Sequence, residues 1–119
     1  MPRILVVDDE PDLRFLLRWI FERAAYEVVE ACDGAAALKA AREWPPDLVV
    51  TDMMMPIMDG AELIRRLRCE PATASIPILE ATLDSHLVGD ADAVIVKPYA
   101  RQNLLALVDV LLREGRGRR

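Results

Sequence analysis

The sequence predicts a doubly wound α/β domain, with a five-stranded parallel sheet and helices on both faces. Two observations carry this. Short apolar runs without alternation, such as Ile4-Leu5-Val6-Val7 and Leu48-Val49-Val50, have the pattern of strands buried on both faces. Between these runs lie segments whose apolar residues recur at i, i+3 and i+4, the period of helices with one buried side. Strand and helix alternating at this spacing give βαβ units, and right-handed crossovers put helices on both sides of the sheet.

The elements follow in order. Arg3–Val7 is the first strand. Pro11 suits the first turn of a helix, where its missing N–H costs nothing. Leu13, Leu16, Leu17, Ile20, Phe21 and Ala24 form that helix's buried side. Tyr26–Ala31 is the second strand, Asp33-Gly34 a turn, and Ala35–Glu43 an alanine-rich helix stopped by Pro45-Pro46. Asp47–Thr51 is the third strand and runs into Asp52. Pro56 and Asp59-Gly60 mark a loop, followed by a helix over Ala61–Cys69 with Leu63, Ile64 and Leu67 inward. Ile76–Ala81 and Val94–Val96 are the last two strands. Arg101–Arg113 is the final helix, with Leu104, Leu105, Val108, Leu111 and Leu112 on one face.

A length of 119 residues suits one domain, placed at residues 1–114, with the basic stretch 115–119 read as a tail or the start of a linker. The chain is 53% hydrophobic and 29% charged, enough for a real core. Its net charge of −5 and the lack of a basic stripe argue against nucleic acid as a direct ligand. No apolar run approaches a membrane span and no secretory h-region is present, so a cytoplasmic location is expected. Cys32 and Cys69 are far apart and read as ordinary buried thiols.

The chemistry lies at the strand ends. Asp8, Asp9 and Glu10 follow the first strand, Asp52 the third, Thr82 the fourth, and Lys97-Pro98 the fifth. In a parallel sheet these ends share one edge, where open α/β sheets bind ligands. Clustered carboxylates repel one another unless a cation neutralises them, and Mg²⁺ with its oxygen ligands is the natural partner. A carboxylate beside a bound Mg²⁺ can attack a phosphoryl group to give an acyl phosphate. Lys97 would serve as a compact cation for a phosphoryl oxygen, and Thr82 would donate a hydrogen bond to another. Each residue also has a bland reading as helix-start acid, turn residue, strand-end hydroxyl or solvated charge. The bland readings predict no correlation between residue type and strand end, yet one is present.

With these residues in view, the sequence resembles a two-component response-regulator receiver domain, similar to the stand-alone chemotaxis receiver. Beyond the acidic start through Pro11, the resemblance rests on Pro46-Asp47-Leu48-Val49-Val50-Thr51-Asp52, Met55-Pro56-Ile57-Met58-Asp59-Gly60, Ile76-Pro77-Ile78-Leu79 and Lys97-Pro98-Tyr99. It implies a flavodoxin-like (βα)5 fold with strand order 2-1-3-4-5. By the same resemblance Asp52 is the phosphoacceptor, and Asp8 and Asp9 are the acidic Mg²⁺ pair. The backbone carbonyl of Met54 completes the metal shell, Thr82 is the switch hydroxyl, and Lys97 contacts the phosphoryl group before a cis Pro98. The implied partners are a sensor histidine kinase or phosphotransfer protein and a downstream effector or fused output domain.

The chain departs from the family in its second half. The interval from Leu83 to Val96 is too short for a full fourth helix plus the fifth strand, so that helix is expected to be a stub or irregular loop over Asp84–Gly89. Val94 replaces the switch Tyr or Phe, and it has no ring to swing. Leu83 stands where a small residue is usual and is expected to narrow access to Asp52.

On the first helix, Phe15 and Trp19 lie opposite the apolar stripe and suit a kinase contact. Leu107 and Val110 lie outside the last helix's main face and would pack against the shortened fourth helix or bind a second subunit. Asp109, where dimerising relatives tend to have a basic residue, argues against one particular salt-bridged homodimer and leaves others open. The methionines at 53, 54, 55 and 58 read as loop packing. Three functional readings are therefore carried forward. The first is a Mg²⁺-dependent phosphoryl-accepting switch that catalyses only its own phosphorylation and dephosphorylation. The second is a phosphorylation-independent interaction module that keeps the fold. The third is a phosphoaspartyl hydrolase, disfavoured because Met54 occupies the position of that class's second aspartate.

Overall fold

A computed structural model describes residues 1–83 and 91–115 of the chain. Their order is β1 (Arg3–Val7), α1 (Pro11–Arg23), β2 (Glu27–Ala31), α2 (Gly34–Glu43), β3 (Leu48–Asp52), α3 (Gly60–Cys69), β4 (Ile78–Thr82), β5 (Ala93–Val96) and α4 (Arg101–Glu114). The strands form one parallel sheet in the order β2-β1-β3-β4-β5. The expected stub between β4 and β5 falls on residues outside those described.

The unbroken apolar runs are explained by two cores, one on each face of the sheet. Ile4, Val6, Leu48, Val50 and Leu79 face α1 and α4, packing with Phe21, Leu104 and Val108. Leu5, Val7, Val49 and Ile78 face the opposite way, toward Leu38 of α2 and Leu63, Ile64 and Leu67 of α3. A strand between two cores has no polar side, and each fully buried Val, Leu or Ile contributes about 1.5–3 kcal/mol.

Two aspartates expected in a turn and a loop cap helices. Asp33 Oδ1 accepts from the Ala36 N–H at 2.8 Å and Asp59 Oδ1 from the Glu62 N–H at 2.9 Å, each satisfying a donor that the helix leaves open. The glycines that follow allow close packing. A Cβ on Gly34 would lie 2.8 Å from Met58 Cβ, and one on Gly60 would lie 2.6 Å from the Asp52 carbonyl oxygen. Both glycines thus let helix starts press against the chain leaving β3.

Two expectations about burial are overturned. Leu16 is 49% exposed, because the side of α1 that meets the sheet is narrow and runs through Leu17, Ile20 and Phe21. Cys32 and Cys69 are both exposed. Cys32 lies just past the end of β2, and Cys69 is two positions beyond inward-facing Leu67, on the solvent side of α3. Among the methionines, Met53 and Met58 are buried as expected, whereas Met54 is 69% exposed. No helix among the described residues is long and apolar enough to cross a membrane.

Candidate functional site

The strand register assembles the site. Val7 is level with Thr51, Asp52 with Ala81, and Thr82 with Val96. Asp8, Asp52, Thr82 and Lys97 therefore emerge along one edge, with Asp52 on the central strand. The edge is tied across strands: the Asp8 N–H donates to the Ala31 carbonyl, the Met53 N–H to Ala81 and the Lys97 N–H to Thr82, at 3.2, 3.2 and 2.7 Å.

Oxygens of Asp8, Asp9 and Asp52 all lie within 4.8 Å of one another. Octahedral oxygen ligands about 2.0–2.1 Å from Mg²⁺ stand about 3–4 Å apart, so this cluster fits a hard divalent cation. Asp8 is buried, Asp52 half-buried and Asp9 exposed, which gives the cluster an open side toward solvent. Burial pushes the Asp8 carboxyl above its ordinary value, and the charges of Asp52 and Asp9 add to the rise. The Glu10 N–H, 2.9 Å from Asp8 Oδ1, and the Lys97 charge oppose it without cancelling it. The acids are thus short of positive charge.

Lys97 supplies part of that charge. Its Nζ lies 2.8 Å from Asp52 Oδ1. Burial pulls the ammonium down, but the hydrogen bond to Asp52 and the surrounding carboxylates raise it overall. The Lys97–Pro98 peptide is cis. Thr82 is 2% exposed at the end of β4, beside Lys97 through the strand hydrogen bond. Leu83 is 77% exposed on the rim.

Sequence reading missed the groups that hold these residues. The Arg14 guanidinium donates to the Asp8 carbonyl at 2.7 Å and pairs with Glu30, which also pairs with Arg18. The Gly60 N–H donates to the Met53 carbonyl at 2.8 Å, anchoring the chain just after Asp52. Farther off, Asp92 accepts from the Ile78 N–H and from Arg68, both at 2.7 Å, and so ties the end of α3 to β4 and the approach to β5. An arginine near an acidic turn, or an Asp-Gly pair before a helical period, is a visible signal. Its partner is not visible.

A family model described as the response regulator receiver domain matches residues 4–109. The chain belongs to the response-regulator receiver family. It is 38% identical over 120 residues to the DNA-binding dual master transcriptional regulator RpaA of Synechocystis, covering 95% of this chain and 50% of that protein. The receiver domain of a signal transduction histidine kinase from Syntrophus aciditrophicus superposes with a TM-score of 0.90 at 32% identity, covering 95% of this chain and 91% of that one. The response regulator TrrA of Thermotoga maritima, solved in complex with Mg²⁺-BeF, gives a TM-score of 0.85 at 35% identity, covering 93% and 99%. The chain spans about half the length of the curated response regulators it matches.

As a receiver domain it belongs to two-component signalling and has the flavodoxin-like fold with strand order 2-1-3-4-5.

Proposed function

We propose that this receiver accepts a phosphoryl group on Asp52 from the phosphohistidine of a sensor kinase or phosphotransfer protein, with Mg²⁺ held by Asp8, Asp9 and Asp52. The observation that carries the reading is the convergence of three carboxylates within 4.8 Å with Lys97 Nζ at 2.8 Å. Mg²⁺, when bound, neutralises the carboxylates and phosphoryl oxygens, so that like charges can meet. Asp52 then supplies the attacking oxygen. A C–O–P bond forms, the P–N bond of the donor breaks, and its electron pair leaves with the imidazole. Lys97 shifts from Asp52 to a phosphoryl oxygen, and Thr82 donates to another. The Asp52 and Met53 carbonyls are already engaged, by Thr51 Oγ1 at 2.9 Å and the Gly60 N–H at 2.8 Å. That engagement supports Met54 as the residue whose carbonyl completes the metal shell.

Val94 on β5 has no ring to swing, so the phosphorylated state is reported otherwise than through an aromatic switch. Residues 1–114 act as the receiver, 115–119 are a basic tail or the start of a linker, and the output is an effector protein or a fused domain. The kinase partnership places this receiver in the cytoplasm. The alternative, an interaction module that needs no phosphorylation, draws on Val94 and on Leu83 exposed at the rim. Incubation with Mg²⁺ and acetyl phosphate or beryllofluoride, compared with Asp52→Asn, separates the two. A mass gain of one phosphoryl group, or NMR shifts that require Asp52, supports the switch; neither change at saturating donor supports the module.

A further inference from the structure

A cavity of about 330 Å³ opens beside the acidic cluster, beneath α1. Leu13, Leu16 and Leu17 of α1, Val50 and Ala81 of the sheet, and Tyr99 make its apolar walls. Asp8, Asp52 and Lys97 line its other end. The volume is at the lower end of the range of small-molecule sites, and the lining of apolar walls with a few convergent charges is typical of them. A hydrated metal ion at the carboxylates would leave those walls unfilled. The half-exposed Leu16 belongs to this cavity rather than to the core.

The charges identify the occupant. Two carboxylates, Asp8 and Asp52, face one ammonium here, with Asp9 just outside, and Asp8 is almost completely buried while Lys97 is already committed to Asp52. Arg14 reaches only the backbone carbonyl of Asp8, and its charge is matched by Glu30. The acidic end therefore attracts a cation, and the apolar walls ask for a hydrocarbon body attached to it. We propose that this cavity binds small amphiphilic amines, with the ammonium against Asp8 and the apolar body along Leu13, Leu16 and Tyr99. Because the amine and Mg²⁺ neutralise the same carboxylates, they exclude each other. An amine so bound holds the receiver in a state that cannot take the metal. The proposal does not depend on Asp52 accepting a phosphoryl group.

The test is a ¹H–¹⁵N shift titration of the whole chain in Mg²⁺-free buffer with 4-phenylbutylamine. Saturable shifts at Asp8, Leu16, Leu17 and Tyr99 are expected, with a Kd on the order of 1 mM for so small a ligand. The uncharged 4-phenylbutanol binds about tenfold more weakly, having no charge to place beside the carboxylates. Added Mg²⁺ reverses the shifts. Leu16→Gln weakens the amine at least about threefold through lost apolar contact and leaves the Mg²⁺ Kd unchanged. The proposal is overturned by shifts that do not saturate, by the alcohol binding as tightly as the amine, by shifts confined to the opposite end of the sheet around Arg3, Glu27 and Trp44, or by amine and Mg²⁺ binding together. Failure of Mg²⁺ itself to bind would instead refute the proposed function.

Discussion

Lys97 Nζ lies 2.8 Å from Asp52 Oδ1, bridging the ends of β3 and β5. The lysine thus occupies the carboxylate proposed as the phosphoacceptor, and on that proposal one cation serves two anions in turn. Removing it should move two measurements in opposite directions. Lys97→Met takes a positive charge from beside the metal cluster and should tighten Mg²⁺ binding about three- to thirtyfold by Coulomb's law in a half-screened site. The same change should slow phosphorylation by acetyl phosphate about a hundredfold, as loss of a transition-state donor does. Calorimetry for Mg²⁺ and intact-mass kinetics read the two effects. A parallel fall in both would mean that Lys97 only holds Asp52 in place.

Asp8 is a buried carboxylate in the proposed Mg²⁺ site, so it should cost stability when no metal is bound. Its carboxyl titrates above the ordinary aspartate value, chiefly through burial, so the folded state disfavours its ionised form. The metal-free protein therefore loses stability as pH rises from the ordinary aspartate value through the raised one, and the loss is constant above that window. Asp8→Asn does not titrate. Its stability advantage over the parent should be absent at low pH, grow through the window, and level off above it. Its Mg²⁺ affinity should fall about 10- to 100-fold. Urea denaturation across pH in chelator checks the first effect; an advantage that shrinks as pH rises would contradict it.

Gly60 packs against the backbone of the proposed phosphoacceptor Asp52. A Cβ there would lie 2.6 Å from the Asp52 carbonyl oxygen and 2.9 Å from Met53 Cα, and both neighbours are backbone. Neither can move aside without shifting the strand end. Gly60→Ala should destabilise by about 2–3 kcal/mol, lowering Tm by about 10 °C. It should also weaken beryllofluoride binding in the fraction that stays folded. Calorimetric melting and ¹⁹F NMR provide the two readings, and a melting point within a degree of the parent would show that the contact is easily relaxed.

The parts of this protein legible in the sequence are those fixed by local period. Runs such as Ile4–Val7 announce doubly buried strands, and parallel strands in turn force Asp8, Asp52, Thr82 and Lys97 to one edge. What could not be read depends on contacts between distant segments. Nothing local says that Leu16 faces a cavity, that Arg14 reaches back to the Asp8 carbonyl, or that Arg68 and Asp92 meet across 24 residues. Glu80 is the sharpest case. It is fully buried on β4, level with Thr51 and Val94, at a position where strand pattern alone would place an apolar residue. Asp33 and Asp59 were visible as Asp-Gly pairs, but a turn and a helix cap use the same letters.

Ile57 carries local strain in the loop after Asp52. Its φ is 70°, and the Met58 N–H donates to the Pro56 carbonyl at 2.7 Å, closing a three-residue turn around it. A β-branched residue is disfavoured in this region, and Ile57, at 89% exposed, gains almost no burial in return. Ile57→Gly should stabilise the protein by about 0.5–1 kcal/mol, once glycine's greater unfolded-state entropy is set against the relieved strain. A rise in the urea midpoint with unchanged m-value is the expected reading. A drop would show that the isoleucine side chain has a packing role its exposure conceals.

Trp19 is the residue on α1 best suited to a partner. It is 43% exposed, Phe15 four residues earlier is 69% exposed, and the Arg23 guanidinium stacks 4.7 Å from the centre of its ring. Neither aromatic belongs to the buried side of the helix, so truncation should cost the fold little. A rigid aromatic held by a cation–π contact loses little further freedom on docking, which favours it as an interface anchor. Trp19→Ala should therefore leave phosphorylation by acetyl phosphate unchanged and slow transfer from a phosphorylated histidine kinase by at least about tenfold, since a central interface Trp is worth about 2 kcal/mol or more. The small donor is the control, because it uses the acidic site without touching α1. Equal loss with both donors would place the effect at the site itself, and no loss with either would remove Trp19 from the docking surface.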